Sequence, residues 1–249
     1  MNRFTGLLLF AGPCQHRRVA AIDAQLLKNI AIFRALDDAA RASLASQARI
    51  QRCAPRDTIV EQGVPAPAVY VVSQGRAKVS VAARDGRTVT IRELGPGEII
   101  GEVSLFDGGP PSATVTALTD VELVVVDRAS FITLLERSPQ IAVALLSVLA
   151  SRLRRITAWA DDLAGLPVSA RLAKCLLGIL AEHGQATGPN RYRIGQRISQ
   201  QALAERIGVT RESINKHLKR LGRAGILVQE AGHLVITDRA GLEAAAADD

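Results

Sequence analysis

Between Ser199 and Gly225 the chain reads SQQALAERIGVTRESINKHLKRLGRAG, and few folds accommodate that stretch. Its pattern predicts two short helices joined by a tight turn. Leu203 and Ile207 mark the apolar face of the first. Gly208 breaks it, because glycine takes a positive φ at little steric cost. Thr210 is placed to cap the second, its hydroxyl accepting from a free backbone N–H. Ile214, Leu218 and Leu221 then recur at +4 and +3, the spacing of one buried helical face. The opposite face carries Arg211, Glu212, Asn215, Lys216, Lys219 and Arg220. Ala204, Gly208 and Ile214 supply the close packing, bend and shared core that a helix-turn-helix needs. The plain alternative is a helical hairpin with a solvated charged face. Charge, turn and core spacing coincide here, which argues against it.

Charge sharpens that reading. The net charge is +7 over 249 residues. From Arg191 to Gly225 there are nine Lys and Arg against Glu205 and Glu212, so this one module carries an excess equal to that of the whole chain. A local basic patch is the footprint of phosphate contacts. Aromatics are 3% of residues, too few for the stacking platforms that hold single-stranded bases. Cys14, Cys53 and Cys175 are scattered, with no C-x-x-C pair and no even disulfide framework, which predicts a reduced, cytoplasmic setting. His16, His183, His217 and His233 have no metal-ligand spacing, so no metal site is expected. The apolar run in MNRFTGLLLFA is too brief for a secretory leader, and no run reaches the length of a membrane span.

Upstream the grammar differs. Leu26, Leu27, Ile30, Phe33, Leu36 and Leu44 predict two short helices broken at Asp37-Asp38. From Gln51 to Asp127, β-branched runs alternate with Gly, Pro and Asp, and Asp85-Gly86 reads as a hairpin turn. Strands at such spacing predict an antiparallel barrel or jelly roll with an internal cavity. A helix from Arg128 to about Leu135 ends at Ser138-Pro139, and a long helix follows to about Ala164. On it Leu145, Leu149, Arg152, Ile156, Trp159 and Leu163 advance by 4 and 3, a heptad seam that predicts a parallel helix pair in a homodimer. A single helix packed on its own barrel is the alternative. Gly165-Leu166-Pro167 reads as a hinge, VSARLAKCLLGILAE as a helix and HGQATGPNRY as a polar loop. ILVQEAGHLVITD reads as a two-strand wing turning at Ala231-Gly232, and the tail as a short Ala-rich helix. The fold class is α+β: barrel, dimerisation helix, winged helix-turn-helix.

In that order, these parts resemble the CRP/FNR superfamily of bacterial transcription regulators, from about Leu26 to Asp238. GEIIGEVSLFDGGPPSAT resembles the family's phosphate-binding cassette, and VTRESINKHLKRL its recognition helix. The resemblance implies an N-terminal extension over 1–24, a cyclic-nucleotide-binding-like sensor over 25–136, a dimerisation helix over 137–165 and a DNA-binding domain over 166–249. It implies no enzyme activity. It implies that Arg211 reads guanine, with a fork that matches O6 and N7. Glu212 then accepts from a cytosine amino group, and Lys216 makes a second base contact. Thr210 and Ser213 donate to phosphate, and Asn215 shares the reading face. The implied partners are a palindromic double-stranded operator, a second copy of the chain and RNA polymerase.

The cassette matches in part. Gly101 and Glu102 stand where the family pairs a backbone donor with a ribose acceptor, and Ser112 and Ala113 where hydroxyl and amide hold a cyclic phosphate. Before that serine the cyclic-AMP binders carry Arg, and here the residue is Pro111. The phosphate loses a bidentate cation, and proline also removes an N–H. Where the family contacts adenine through a Thr-Ser pair, this chain has Ile156 and Thr157, so one hydroxyl remains. Three readings stay open: a different small effector, nucleotide-type or otherwise; a ligand-independent regulator; or a cyclic nucleotide bound by another route. The cysteine spacing disfavours an iron–sulfur sensor, and the barrel segment offers haem no histidine, only Cys53. Cys175, on a helix face with Leu172, Leu176 and Ile179, reads as a buried thiol.

Overall fold

Each helix start in the N-terminal segment is set by an aspartate. The computed structural model describes residues 22–83, 85–195 and 197–247. Asp23 accepts from Gln25 N at 2.9 Å and opens α1 (Ala24–Lys28). A 3-10 turn follows at Ala31–Phe33. Asp37 accepts from Ala40 N at 2.7 Å and opens α2 (Asp38–Gln47), so the break read at Asp37-Asp38 is an N-cap. The part of the expected extension at 1–21 lies outside the described residues. Chain contacts divide the molecule into two units, one formed by residues up to Val81 with Ile91–Val148, the other by Ala82–Thr90 with Leu149 onward.

The β-branched runs become eight strands, which lie in the first unit except for Ala82 and Thr88–Thr90 at the tip of one hairpin. They are β1 (Arg49–Cys53), β2 (Thr58–Val60), β3 (Ala68–Gln74), β4 (Ala77–Ala82), β5 (Thr88–Leu94), β6 (Ile99–Ile100), β7 (Thr114–Ala117) and β8 (Val121–Asp127). A short helix, α3 (Glu102–Asp107), lies between β6 and β7. The strands form two sheets ordered β1-β8-β3-β6 and β2-β7-β4-β5. The sheets remain open, so the expected barrel is a two-sheet jelly-roll arrangement. Val72, Leu123 and Val125 of one sheet and Ala77, Val115 and Ala117 of the other share a core. Val71, Val124 and Val126 are also fully covered. Strands buried on both faces lose the alternation that marks a half-exposed strand, and the VELVVVD run is an instance. The outer cover includes α4 (Arg128–Arg137), whose Phe131 meets Phe33 edge to face at 6.5 Å. At Asp85-Gly86 the turn is closed by Ala83 N donating to Arg87 O at 2.8 Å. Arg87 donates back to Asp85, which lowers the aspartate's pKa.

The long helix α5 runs from Pro139 to Gly165 and crosses the division between the units. The second unit continues with α6 (Val168–His183), β9 (Gly184–Gly188), β10 (Arg191–Ile194), α7 (Gln200–Ile207), α8 (Arg211–Arg223), β11 (Leu227–Glu230), β12 (His233–Ile236) and α9 (Arg239–Ala247). Its sheet is ordered β11-β12-β10-β9. The segment expected to be a polar loop is therefore a hairpin that extends the wing from two strands to four. Every residue of β9 is exposed, so it carries no apolar periodicity to read. Leu172, Leu176, Leu203, Ile214, Leu234 and Ile236 form a common core under the helix-turn-helix and wing. No single described helix is long and apolar enough to cross a membrane.

Candidate nucleic-acid interface and effector cassette

The turn between α7 and α8 is fixed by backbone chemistry at both ends. Ser199 accepts from Ala202 N at 3.1 Å and starts α7. Gly208 ends it at φ 70°, in the left-handed region where an L side chain costs about 1–2 kcal/mol. Val209 N then donates to Ala204 O at 3.0 Å. Thr210 Oγ1 accepts from Ser213 N at 3.2 Å and starts α8, as its sequence position predicts. Ile214 and Leu221 point into the core. The other side of α8 leaves Arg211, Glu212, Lys216, Lys219 and Arg220 exposed, with Ser213 and Asn215 half-buried. Among the described residues no carboxylate pairs with Arg211, Lys216, Lys219, Arg220 or Arg223. Five cations on one helix with no internal partner hold a positive field at the surface. His217, on the same helix, is held below the ordinary histidine pKa by burial, then by Arg220 and Lys216.

The cassette residues lie in the first unit. Gly101 precedes α3 with φ 91°, and a Cβ there would meet Ala68 O at 3.1 Å, so backbone conformation and close approach both require glycine. Glu102 and Ala113 are half-buried and Ser112 is exposed. Pro111 is buried, and its carbonyl accepts from Gly63 N at 2.9 Å. Arg128 donates through Nε to Leu105 O at 3.0 Å and ties α3 to the start of α4. Ser104, which sequence reasoning missed, is buried on α3 with its hydroxyl unbonded among the described residues. Thr157 belongs to the second unit, and its hydroxyl donates to Leu153 O at 3.0 Å.

The dimer candidates on α5 divide by exposure. Leu145 is fully buried and Arg152 is 9% exposed, so both are covered within the protomer. Leu149 and Trp159 are half-buried, and Ile156 and Leu163 are exposed. The exposed apolar line runs instead through Leu146, Leu149, Leu153, Ile156, Ala160 and Leu163. It has the same 3-and-4 spacing and shares three members with the expected seam. Leu146 is 61% and Leu153 65% exposed. Periodicity alone does not say which of two adjacent stripes the chain covers itself.

One of the two described thiol positions departs from expectation. Cys53 is disulfide-bonded rather than a lone thiol, which removes it as a candidate haem ligand; Cys14 lies outside the described residues. Cys175 is free, and burial pushes its thiol up to about 11. Among the described residues no cluster of His, Cys, Asp or Glu could hold a metal ion.

Comparison with known proteins agrees with this geometry. Residues 50–138 match the cyclic nucleotide-binding domain, and residues 170–245 the Crp-like helix-turn-helix domain. A CRP-like cAMP-activated global transcriptional regulator of Mycobacterium tuberculosis is 31% identical over 86% of this chain and 95% of its own length. A cyclic AMP receptor protein of Thermus thermophilus is 32% identical over 74% of this chain and 82% of its own. Among solved structures, the c-di-GMP responsive global regulator CLP of Xanthomonas campestris superposes with a TM-score of 0.72 at 26% identity, covering 80% of this chain and 99% of that one. A nucleotide-binding-type sensor joined to a winged helix-turn-helix defines a transcription regulator rather than an enzyme. The chain belongs to the CRP/FNR family of transcription regulators.

Proposed function

We propose that this chain is a homodimeric, sequence-specific DNA-binding regulator in the cytoplasm, whose sensor responds to a small effector other than cyclic AMP held in the usual way. The observation that carries the DNA reading is the exposed face of α8, where Arg211, Lys216, Lys219 and Arg220 have no carboxylate partner among the described residues. Arg211 reads a guanine edge, Glu212 a cytosine amino group, Lys216 makes a second base contact, and Thr210, Ser213 and Asn215 complete the contacts to phosphate and base. Two copies joined along α5 place two recognition helices on the half-sites of a palindrome, about one helical turn apart. RNA polymerase is the further partner.

The effector reading rests on Pro111. Gly101, Glu102, Ser112 and Ala113 retain the family cassette, and Thr157 keeps one hydroxyl. A buried proline stands where cyclic-AMP binders place an arginine, so the cyclic phosphate has no fork to accept it. The named relatives divide on the effector, two by name cyclic-AMP proteins and one c-di-GMP responsive. A ligand-independent regulator is the second reading, favoured by the same missing cation. The decisive measurement is calorimetry with cyclic AMP and cyclic di-GMP, alongside anisotropy on a palindromic duplex selected from a random pool. DNA affinity should fall steeply with salt, as counterion release requires. Cyclic AMP should give no heat at micromolar concentration, and tight binding would overturn the assignment of Pro111. Pro111→Arg then asks whether the remaining cassette is competent.

A further inference from the structure

Arg171 occupies an unusual position for a cation. It lies on α6, half-buried beside the core of the second unit, and no carboxylate pairs with it among the described residues. Its Nη1 donates to Ile207 O at 3.1 Å, and its Nε is buried without an acceptor. Taking a guanidinium partly out of water is unfavourable, and one neutral carbonyl compensates only in part. The carbonyl it reaches is no ordinary one. Ile207 is the last residue of α7, and the last four carbonyls of a helix have no intrahelical partner. The negative end of the α7 dipole lies at the same point and favours a cation there. Ile207 precedes Arg211 by four residues, with the Gly208 bend and the Thr210 cap between them.

The geometry points to Arg171 as a positioning residue for base reading, which holds the bend of the helix-turn-helix so that Arg211 and Glu212 leave α8 at a fixed angle. Gly208 gives the bend its freedom, and Arg171 takes away the excess. With Nη1 on the Ile207 carbonyl and Nε buried, the guanidinium serves the fold rather than a phosphate in this proposal. Its loss therefore loosens the start of α8 without removing a phosphate contact. Discrimination between sequences suffers, while the general attraction to DNA remains.

The inference rests on the DNA-binding reading, and its test separates the two. Full-length wild type, Arg171→Met and Arg171→Lys are compared by anisotropy on the selected duplex and on a scrambled one. Hydrogen exchange of residues 207–213 is followed in the same proteins without DNA. Arg171→Met should lose about tenfold in the ratio of specific to non-specific affinity, the scale of one misaligned base contact. Its salt slope should be unchanged, and exchange in 207–213 should rise. Arg171→Lys, which keeps a donor, should recover most of both. An unchanged ratio, or equal loss on both duplexes with a shallower salt slope, overturns the positioning role. Should Arg171→Met fail to fold, Arg171→Gln takes its place: a lowered ratio with raised exchange in 207–213 supports the role, and wild-type values of both overturn it. Unaltered exchange at 207–213 in a folded Arg171→Met overturns the inference even if no duplex is bound selectively, a result that would separately sink the DNA reading.

Discussion

Arg211 and Arg171 both bear on Ile207: Arg211 follows it by four residues along the chain, and Arg171 reaches its carbonyl across the fold. Arg211 was legible because an exposed cation just after a helix cap faces whatever approaches the helix start. Arg211→Ala should cost about 1–3 kcal/mol of operator binding and relax specificity at one base pair, as competition between single-base variants of the operator would show. Arg171 was not legible. One of two cations in VSARLAKCLLGIL, it looks like a solvated break in an apolar face until the Ile207 carbonyl is seen opposite it. His217 is intermediate: its place on α8 is plain from the sequence, but its burial is not. A histidine whose folded pKa is depressed favours the folded state while neutral. That contribution is complete above the unfolded value of about 6.5 and is lost as pH falls through this point toward the lowered folded pKa. Urea midpoints at pH 7.5 and 5.5 should therefore fall further apart in the parent than in His217→Gln. Equal pH dependence would dismiss His217 as the source.

At the scale of elements, capping chemistry made the start of α8 readable at Thr210, and the same chemistry opens helices at positions the sequence reading did not name as caps. Asp23, Asp37, Ser199 and Thr210 each accept from a backbone N–H two or three residues on. Ser199→Ala should lower stability by about 1 kcal/mol, with the loss seen in denaturant unfolding and little of it in Ser199→Asp. A loss no greater than that of an exposed control serine would mean that tertiary packing alone starts α7. Strands were harder. Asp85-Gly86 betrayed one hairpin because that turn demands particular residues. The β9–β10 hairpin has turn residues too, with Asn190 at φ 53°, but its exposed edge strand of Gly, Gln, Ala and Thr has neither alternation nor a buried face. It exists because β10 pairs with β12, a contact between Tyr192 and Ile236 that no local pattern announces. The disulfide at Cys53 was missed for a related reason: pairing of two thiols is a matter of three-dimensional distance, which scattered spacing neither implies nor forbids.

At the scale of the molecule, α5 carries the consequence. Leu145 and Arg152 are covered within the protomer, leaving Leu146, Leu153, Ile156 and Leu163 as a stripe that apolar burial against a second copy would remove from water. Leu153→Lys should shift the protein toward monomer in light scattering after size exclusion. It should weaken binding to the palindrome far more than to a half-site, because the two recognition helices no longer bind as one unit. A dimer that survives Leu153→Lys together with Leu146→Lys would place the interface elsewhere.

What the amino-acid sequence determined by itself was whatever a few neighbouring residues decide: helix starts, the Gly208 bend, the reading face of α8 and the proline in the cassette. Those features are short-range, and each carries its own steric or hydrogen-bonding signature. Tertiary structure decided which of two adjacent stripes on α5 stays exposed, that the sheets remain open, that the wing has four strands, and that Arg171 ends on the carbonyl of Ile207. Each of these depends on residues far apart in the chain meeting, and two patterns equally good locally are separated only by what comes to lie against them.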